Sequence, residues 1–152
     1  MCNSSQKPLG EPGGLRWVTI ISERNMALVR ESYEAFERRD LDGLMDRFPV
    51  DFEVHDPPEM LDSGIHRGRE AIGADWAHTF EAFEDFRVEV EEQYEAGEEL
   101  VVFVRYSGRG RASGAVVDAP MAHVWTFEQG RPIRLRQFVD RTAALEAAGL
   151  QH

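Results

Sequence analysis

The chain has very little cysteine and few basic side chains. Cys2 is the only cysteine among 152 residues, so an internal disulfide is impossible and no cluster of thiolates can hold a metal ion. Seventeen lysines and arginines stand against 28 aspartates and glutamates, which gives a net charge of −11. Nucleic-acid phosphates and anionic membranes both require clustered cations on the protein, so neither is an expected partner.

Long apolar runs are also missing. No stretch approaches the roughly 20 apolar residues of a membrane-spanning helix, and Met1 to Lys7 lack the apolar segment of a secretory signal. The five histidines include no close-spaced pair that would suit a metal ion. The sequence therefore predicts no metal site and a soluble, cytoplasmic protein.

The composition that is present suits one globular domain. Hydrophobic residues make up 42% of the chain and aromatic residues 10%, which is enough for a core at this length. Residues 1–21 are rich in Ser, Pro and Gly and are predicted to form a flexible tail. Within them, Trp17 to Ile21 are either an edge strand or leader sequence. A single domain is then expected over residues 22–150.

Three helices are predicted before the main sheet. The first follows the N-cap Ser22 and runs to about Arg39, the second follows Asp40 and ends at Phe48, and the third follows Gly68. Apolar residues recur at helical spacing in the first helix (Met26, Val29, Tyr33, Phe36) and in the third (Ile72, Trp76, Phe80, Phe83).

Strands are predicted where apolar and polar residues alternate. Four such runs, at 86–91, 100–107, 116–128 and 133–139, are joined by short turns and should pair antiparallel. A shorter strand is expected from Phe52 to Asp56, stopped by Pro57 and Pro58 and followed by a loop over 59–66. Asp140 is expected to cap a last short helix. Helices must cover one face of this sheet, so the predicted class is α+β.

The segment Phe52 to Pro58 carries the strongest functional signal. Because side chains alternate along a strand, Asp56 lies on the same face as Phe52 and Val54. If those two residues point into the core, the carboxylate does too, and an inward carboxylate is costly unless it has partners. Two explanations stay open: an anchor for a neighbouring turn, or a catalytic base held in a pocket.

Other polar and aromatic side chains are candidates for the wall of such a pocket. Tyr106 shares a strand face with apolar neighbours, so an inward hydroxyl would need a partner and could bond a substrate oxygen. Gln137 lies between Leu135 and Val139 on one face and is a candidate buried polar group. Trp76, on the buried stripe of the third helix, is either core or pocket wall.

The strand at 116–128 also predicts an interface. His123, Trp125 and Phe127 alternate with Ala122, Val124 and Thr126. We place the aromatic set, together with Phe103, on the outer face of the sheet. An aromatic stripe should not remain in contact with water, so the sequence predicts a homodimer through that face.

Three segments of the chain resemble a known superfamily. They are Asp40-Leu41-Asp42-Gly43-Leu44, Val54-His55-Asp56-Pro57, and Ala119 to Phe127 followed by Gly130 and the strand Arg134 to Asp140. In this order they resemble the SnoaL-like branch of the ketosteroid isomerase and nuclear transport factor two superfamily. The resemblance implies a cone-shaped, curved, mixed but mainly antiparallel sheet wrapped around three N-terminal helices, with a pocket inside and dimerisation through the sheet.

The resemblance also implies roles for particular residues. Asp56 stands where the isomerases keep their general base, whereas their two oxyanion donors, a tyrosine and a protonated aspartate, fall on Ser32 and Ala122. One missing donor can cost about 10²–10³ in rate, so steroid isomerisation is not expected. Tyr33 is a candidate substrate-binding residue, although it lies about 100° around the helix from Ser32.

Other branches of the superfamily leave two functions open. The Asp–Arg–Asp set of limonene epoxide hydrolase has no Arg-x-Asp counterpart on the strand at 116–128. Polyketide cyclases of the SnoaL type need only an acidic residue and an apolar pocket. We therefore expect an isomerase or cyclase for a small, hydrophobic, carbonyl-containing molecule, with Asp56 as base and no cofactor. The alternative is a non-catalytic ligand-binding or dimerisation module of the same fold.

Overall fold

A computed structural model describes residues 21–60 and 63–150. The predicted tail and the Trp17 to Ile21 run lie outside the described residues except for Ile21, which is buried. The elements are α1 (Glu23–Glu37), α2 (Leu41–Asp46), β1 (Glu53–His55), β2 (Ile65–Arg67), α3 (Arg69–Ala82), β3 (Phe83–Ala96), β4 (Glu99–Gly110), β5 (Val116–Glu128), β6 (Arg131–Phe138) and α4 (Arg141–Ala147).

The six strands form one sheet in the order β2-β1-β6-β5-β4-β3. Strand β1 pairs parallel with β6, and every other neighbouring pair is antiparallel. Helices α1, α2 and α3 contribute to the larger buried core on one face of the sheet, whereas α4 packs on the other face. The predicted α+β class, with a curved mixed sheet around three N-terminal helices, is confirmed.

Three helix starts follow the predicted capping chemistry. The Ser22 hydroxyl accepts a hydrogen bond from the amide of Asn25, and the Asp40 carboxylate accepts one from the amide of Gly43. Asp140 caps α4 in the same way. Each cap satisfies an amide that a helix cannot pair within itself, so local sequence fixes these starts.

The prediction of a loop over residues 59–66 is wrong for its last two residues. Residues Ile65 to Arg67 form β2, which pairs antiparallel with β1 through Val54 and His66. A three-residue strand is too short to show an alternating pattern, and backbone pairing with β1 defines it. The pairing matters because it carries His66 to the side of Asp56.

The predicted outward direction of the aromatic stripe on β5 is wrong. Trp125 and Phe127 lie in the core beneath the helices, and His123 is buried between two tyrosines of that side. Their neighbours Ala122 and Val124 face the other way instead. A strand that is buried on both faces carries apolar residues in both phases, so alternation cannot say which set faces which layer.

Helix α4 explains why both faces of β5 are buried. Phe103 does lie on the outer face, as predicted, but it packs in a cluster with Val124 and the α4 residues Ala144 and Leu145. Three of the four residues chosen for a dimer interface therefore face inward, and the fourth is 8% exposed. A homodimer stays a prediction and would have to use other surfaces.

None of the helices in the two described ranges combines the length and the apolar character that crossing a membrane requires.

Candidate functional site

A cavity of about 610 Å³ lies between the sheet and the helices. Most of its wall is apolar: Phe36, Leu44, Trp76, Phe86, Met121 and Leu135 are among the side chains that line it. A volume of this size suits a small organic molecule.

Asp56 reaches this cavity in the direction expected from its strand. Phe52 and Val54 are fully buried, and Asp56, two residues further on, lines the cavity wall. Its side chain is only 13% exposed. The backbone amide of Asp56 donates to the carbonyl of Gly64 at 2.9 Å, which fixes the chain where β1 ends.

Two side chains hydrogen-bond to the Asp56 carboxylate. His66 Nε2 lies 2.9 Å from Oδ2, and Gln137 Nε2 donates to Oδ1 at 3.4 Å. An ionised carboxylate only accepts hydrogen bonds, so both neighbours act as donors. These partners are side chains from β2 and β6, and no backbone amide of the described chain is among them.

The hydrogen bonds continue from Gln137 deep into the core. The Tyr106 hydroxyl donates to Gln137 Oε1 at 2.8 Å and lies 2.7 Å from His123 Nε2. His123 Nδ1 lies 2.8 Å from the Tyr33 hydroxyl, to which Trp125 Nε1 donates at 3.0 Å. A continuous chain of side chains thus joins Trp125 to Asp56.

This chain has one consistent direction. Since Asp56 accepts, Gln137 turns its amino group to the carboxylate and its oxygen to Tyr106. The Tyr106 hydroxyl then donates its hydrogen bond to Gln137 and accepts one from the Nε2–H group of His123. That leaves Nδ1 of His123 to accept from Tyr33, so the imidazole is neutral and protonated at Nε2.

Helix α3 adds a second carboxylate beside His66. Asp75 Oδ1 lies 3.8 Å from His66 Nε2, and the Asp75 side chain also lines the cavity. One oxygen from each carboxylate and one His66 nitrogen lie within 4.8 Å of one another, close enough to hold a metal ion. The 2.9 Å contact between His66 and Asp56 is a hydrogen bond and needs no metal ion to explain it. The expectation of no metal site stays a prediction.

Comparison with known proteins decides the family. Residues 29–135 match the SnoaL-like domain. The chain belongs to the SnoaL-like family.

Relatives and solved structures agree with this membership. An uncharacterised protein of Mycobacterium tuberculosis is 29% identical over 128 residues, which cover 84% of this chain and 98% of that protein. An NTF2-like protein of unknown function from Burkholderia pseudomallei matches with a TM-score of 0.70 and 30% identity, covering 82% of this chain and 97% of that one. A candidate polyketide cyclase from Sinorhizobium meliloti matches with a TM-score of 0.60 and 25% identity, covering 73% and 93%.

In this SnoaL-like protein the five residues chosen from the sequence, Asp56, Tyr33, Trp76, Tyr106 and Gln137, all line the same cavity. Trp76 serves as both core and wall, because its ring also packs edge-on against Phe36. Their roles in binding or catalysis stay predictions.

The two positions that the resemblance assigned to oxyanion donors supply none. Ser32 donates its hydroxyl to the carbonyl of Leu28 in its own helix at 2.7 Å, and Ala122 belongs to the outer cluster under α4. Ser32 and Thr79 line the cavity, but both donate to backbone carbonyls of their own helices, so the remaining hydroxyls on the wall are those of Tyr33 and Tyr106.

Sequence reasoning missed three residues of the site. The sequence predicts a loop at His66 and places His123 on the outer face of the sheet. The only sequence signal for His123 is its position within a largely apolar strand, and no local pattern marks His66 or Asp75.

Burial sets the protonation states in the core of this SnoaL-like protein. It lowers the pKa of the His123 imidazole from its ordinary 6.5 to about 3. It also raises the pKa of the Tyr33 and Tyr106 hydroxyls well above their ordinary value, and for Tyr106 the nearby charge of Asp56 adds to the effect. Near neutral pH the imidazole is therefore neutral and both hydroxyls keep their protons, in agreement with the direction of the hydrogen-bond chain.

Acid should destabilise the fold through His123. Because its folded-state pKa is lowered, the unfolded chain takes up the proton first, and the unfolding free energy should fall as pH drops from about 6.5 toward about 3. The slope from this one proton is about 1.4 kcal/mol per pH unit. Urea unfolding measured at several pH values would give the slope.

His123→Gln removes this titration while keeping an acceptor for Tyr33 and a donor for Tyr106. It should reduce the pH dependence of the unfolding free energy by the contribution of one proton. Equal slopes for wild type and His123→Gln would contradict the prediction.

Proposed function

We propose that this SnoaL-like protein is a cofactor-independent isomerase or cyclase that moves a proton on a small, hydrophobic, carbonyl-containing molecule, with Asp56 as the general base. The supporting observation is the position of the Asp56 carboxylate, on the wall of a mostly apolar cavity and held by His66 and Gln137. A base must reach its substrate and keep its orientation, and this arrangement provides both.

The first step of the proposed reaction is removal of a proton from carbon. An Asp56 oxygen takes a hydrogen from the carbon next to the substrate carbonyl, and the electron pair of that C–H bond forms a carbon–carbon double bond while the carbonyl π electrons move to oxygen. In an isomerase, Asp56 returns the proton to another carbon. In a cyclase, the enolate carbon attacks a second carbonyl of the same molecule, and the new alkoxide takes up the proton.

The negative charge on the enolate oxygen needs a hydrogen-bond donor. We assign this role to Tyr106, whose hydroxyl can turn from Gln137 to a substrate oxygen while its own oxygen still accepts from His123. A donor that is itself polarised by a buried hydrogen bond is a stronger donor. Tyr106 would thus stand in for the donors that Ser32 and Ala122 do not provide.

A second candidate function is ligand binding without chemistry. It is favoured by one observation: from Trp125 to Asp56 every member of the hydrogen-bond chain already has a partner inside the protein. A ligand could then be held by the apolar wall alone. Asp56 would only hold the His66 and Gln137 side chains in place.

Exchange of carbon-bound hydrogen separates the two candidates. The protein is incubated in D₂O with 2-tetralone, a bicyclic ketone, and loss of the proton signals next to the carbonyl is followed by NMR. An enzyme of the proposed type should exchange these protons faster than the same concentration of acetate, which supplies a carboxylate without a pocket. A rate equal to that of acetate would favour the binding function.

A further inference from the structure

We infer that the cavity selects a hydrophobic molecule that carries a positive charge, a protonated amine, and that Asp75 forms the ion pair with it. This inference rests on the proposed function only in using the same cavity as the binding site, and it names the substrate class more closely.

Every carboxylate, lysine or arginine on the cavity wall is an aspartate, and two histidines, His78 and His123, also line it. Asp56 and Asp75 line it, and no lysine or arginine is among its lining residues in the described part of the chain. The buried imidazole of His123 does not add a positive charge near neutral pH. An anionic ligand would therefore lose its hydration opposite two carboxylates without gaining a lysine or arginine as a partner.

Asp75 has the free capacity for such a ligand. No group of the described residues donates a hydrogen bond to its carboxylate, since His66 Nε2 is 3.8 Å away and is bonded to Asp56 at 2.9 Å. Burial raises the pKa of the Asp75 carboxyl, an effect that His66 and His78 oppose and the charge of Asp56 reinforces. An ammonium group would supply both the opposite charge and the missing donors.

The aromatic side chains of the wall favour the same ligand class. Six aromatic residues line the cavity besides Trp125: Tyr33, Phe36, Trp76, Phe83, Phe86 and Tyr106. The faces of such rings attract cations, and more strongly where water is excluded. The net charge of −11 also raises the concentration of cations near the protein.

The two carboxylates would then have different tasks. The Asp75 side chain is 37% exposed and the Asp56 side chain 13%, so Asp75 lies nearer to solvent. We place the ammonium at Asp75 and the carbonyl end of the molecule deeper, beside Asp56 and Tyr106. This division keeps the base free to take a proton.

A series of ligands that differ only in charge tests the inference. Isothermal titration calorimetry at low ionic strength compares 2-(1-naphthyl)ethylamine as the cation, 2-(1-naphthyl)ethanol as the neutral analogue and 1-naphthylacetate as the anion. We expect the amine to bind at least about tenfold more tightly than the alcohol, and the carboxylate to bind at least about tenfold more weakly than the alcohol.

Asp75→Asn should abolish the preference for the amine over the alcohol, because the charge contact is lost. Glu81→Gln is the matched control: it removes one negative charge from an exposed position of α3 outside the cavity wall, and the preference should survive. Equal affinities of wild type for amine and alcohol, or an unchanged preference in Asp75→Asn, would overturn the inference alone. Failure of all three ligands to bind would overturn the inference and also the use of this cavity as a binding site, on which the proposed function depends.

Discussion

Asp56→Asn is expected to lower the rate of proton exchange by about 10²–10⁴ while the protein stays folded. The amide has nearly the shape of the carboxylate but cannot accept a proton from carbon. Its amino group would face Gln137 or His66. If it faces Gln137, the Gln137 amide can rotate so that its oxygen accepts the new hydrogen bond. Tyr106 would then donate to His123 Nε2 and His123 Nδ1 to Tyr33, so the bonds from residue 56 to Tyr33 can reverse, and only the Tyr33 proton loses its partner because Trp125 Nε1 can only donate.

The exchange assay with 2-tetralone measures this loss, and a thermal melt verifies the fold. Glu53→Gln is the matched control, since Glu53 lies in β1, three residues before Asp56, and pairs with Arg67 and His55 on the other side. Its exchange rate should equal that of wild type. If Asp56→Asn exchanged at the wild-type rate, Asp56 would not be the base, and the anchor interpretation of this carboxylate would stand.

Trp125→Ala is expected to lower the free energy of unfolding by about 3–5 kcal/mol. The indole is 1% exposed and packs against Phe48 and Phe52, so its removal leaves a cavity that the rigid sheet cannot fill. The mutation also deletes the donor to the Tyr33 hydroxyl. Urea unfolding measures the change.

Val116→Ala is the control on the same strand, at a position that is 68% exposed. It should change stability by no more than about 0.5 kcal/mol. This pair also tests the direction of β5, because an outward Trp125 at a dimer interface would cost an isolated subunit little. A loss below about 1 kcal/mol for Trp125→Ala would contradict the inward placement.

Short-range patterns predicted most of the elements. The caps at Ser22, Asp40 and Asp140 each depend on a hydrogen bond from an amide two or three residues away. Such bonds can be predicted from the residue types in a short window of the sequence. The inward direction of Asp56 followed in the same way from Phe52 and Val54, because side chains two residues apart along a strand lie on the same face.

Strand β5 shows where local patterns stop being sufficient. Periodicity separated its residues into two sets correctly, but which set faces the helices depends on α4, a separate element that covers the outer set. Once α4 buries Ala122 and Val124, the aromatic set is free to fill the main core. No window of the sequence around β5 contains that information.

The α+β class followed from the order of the predicted elements, and the SnoaL-like fold from the resemblance of three segments. The helix caps and the cavity-facing phase of Asp56 depend on neighbours in the chain and were predictable from them. The surroundings of that carboxylate depend on long-range packing. His66 arrives through the pairing of β2 with β1, Asp75 through the docking of α3, and Gln137 from 81 residues away along the chain. Contacts of this kind form when separate elements pack, so their geometry depends on the sheet order and on the helices that cover it.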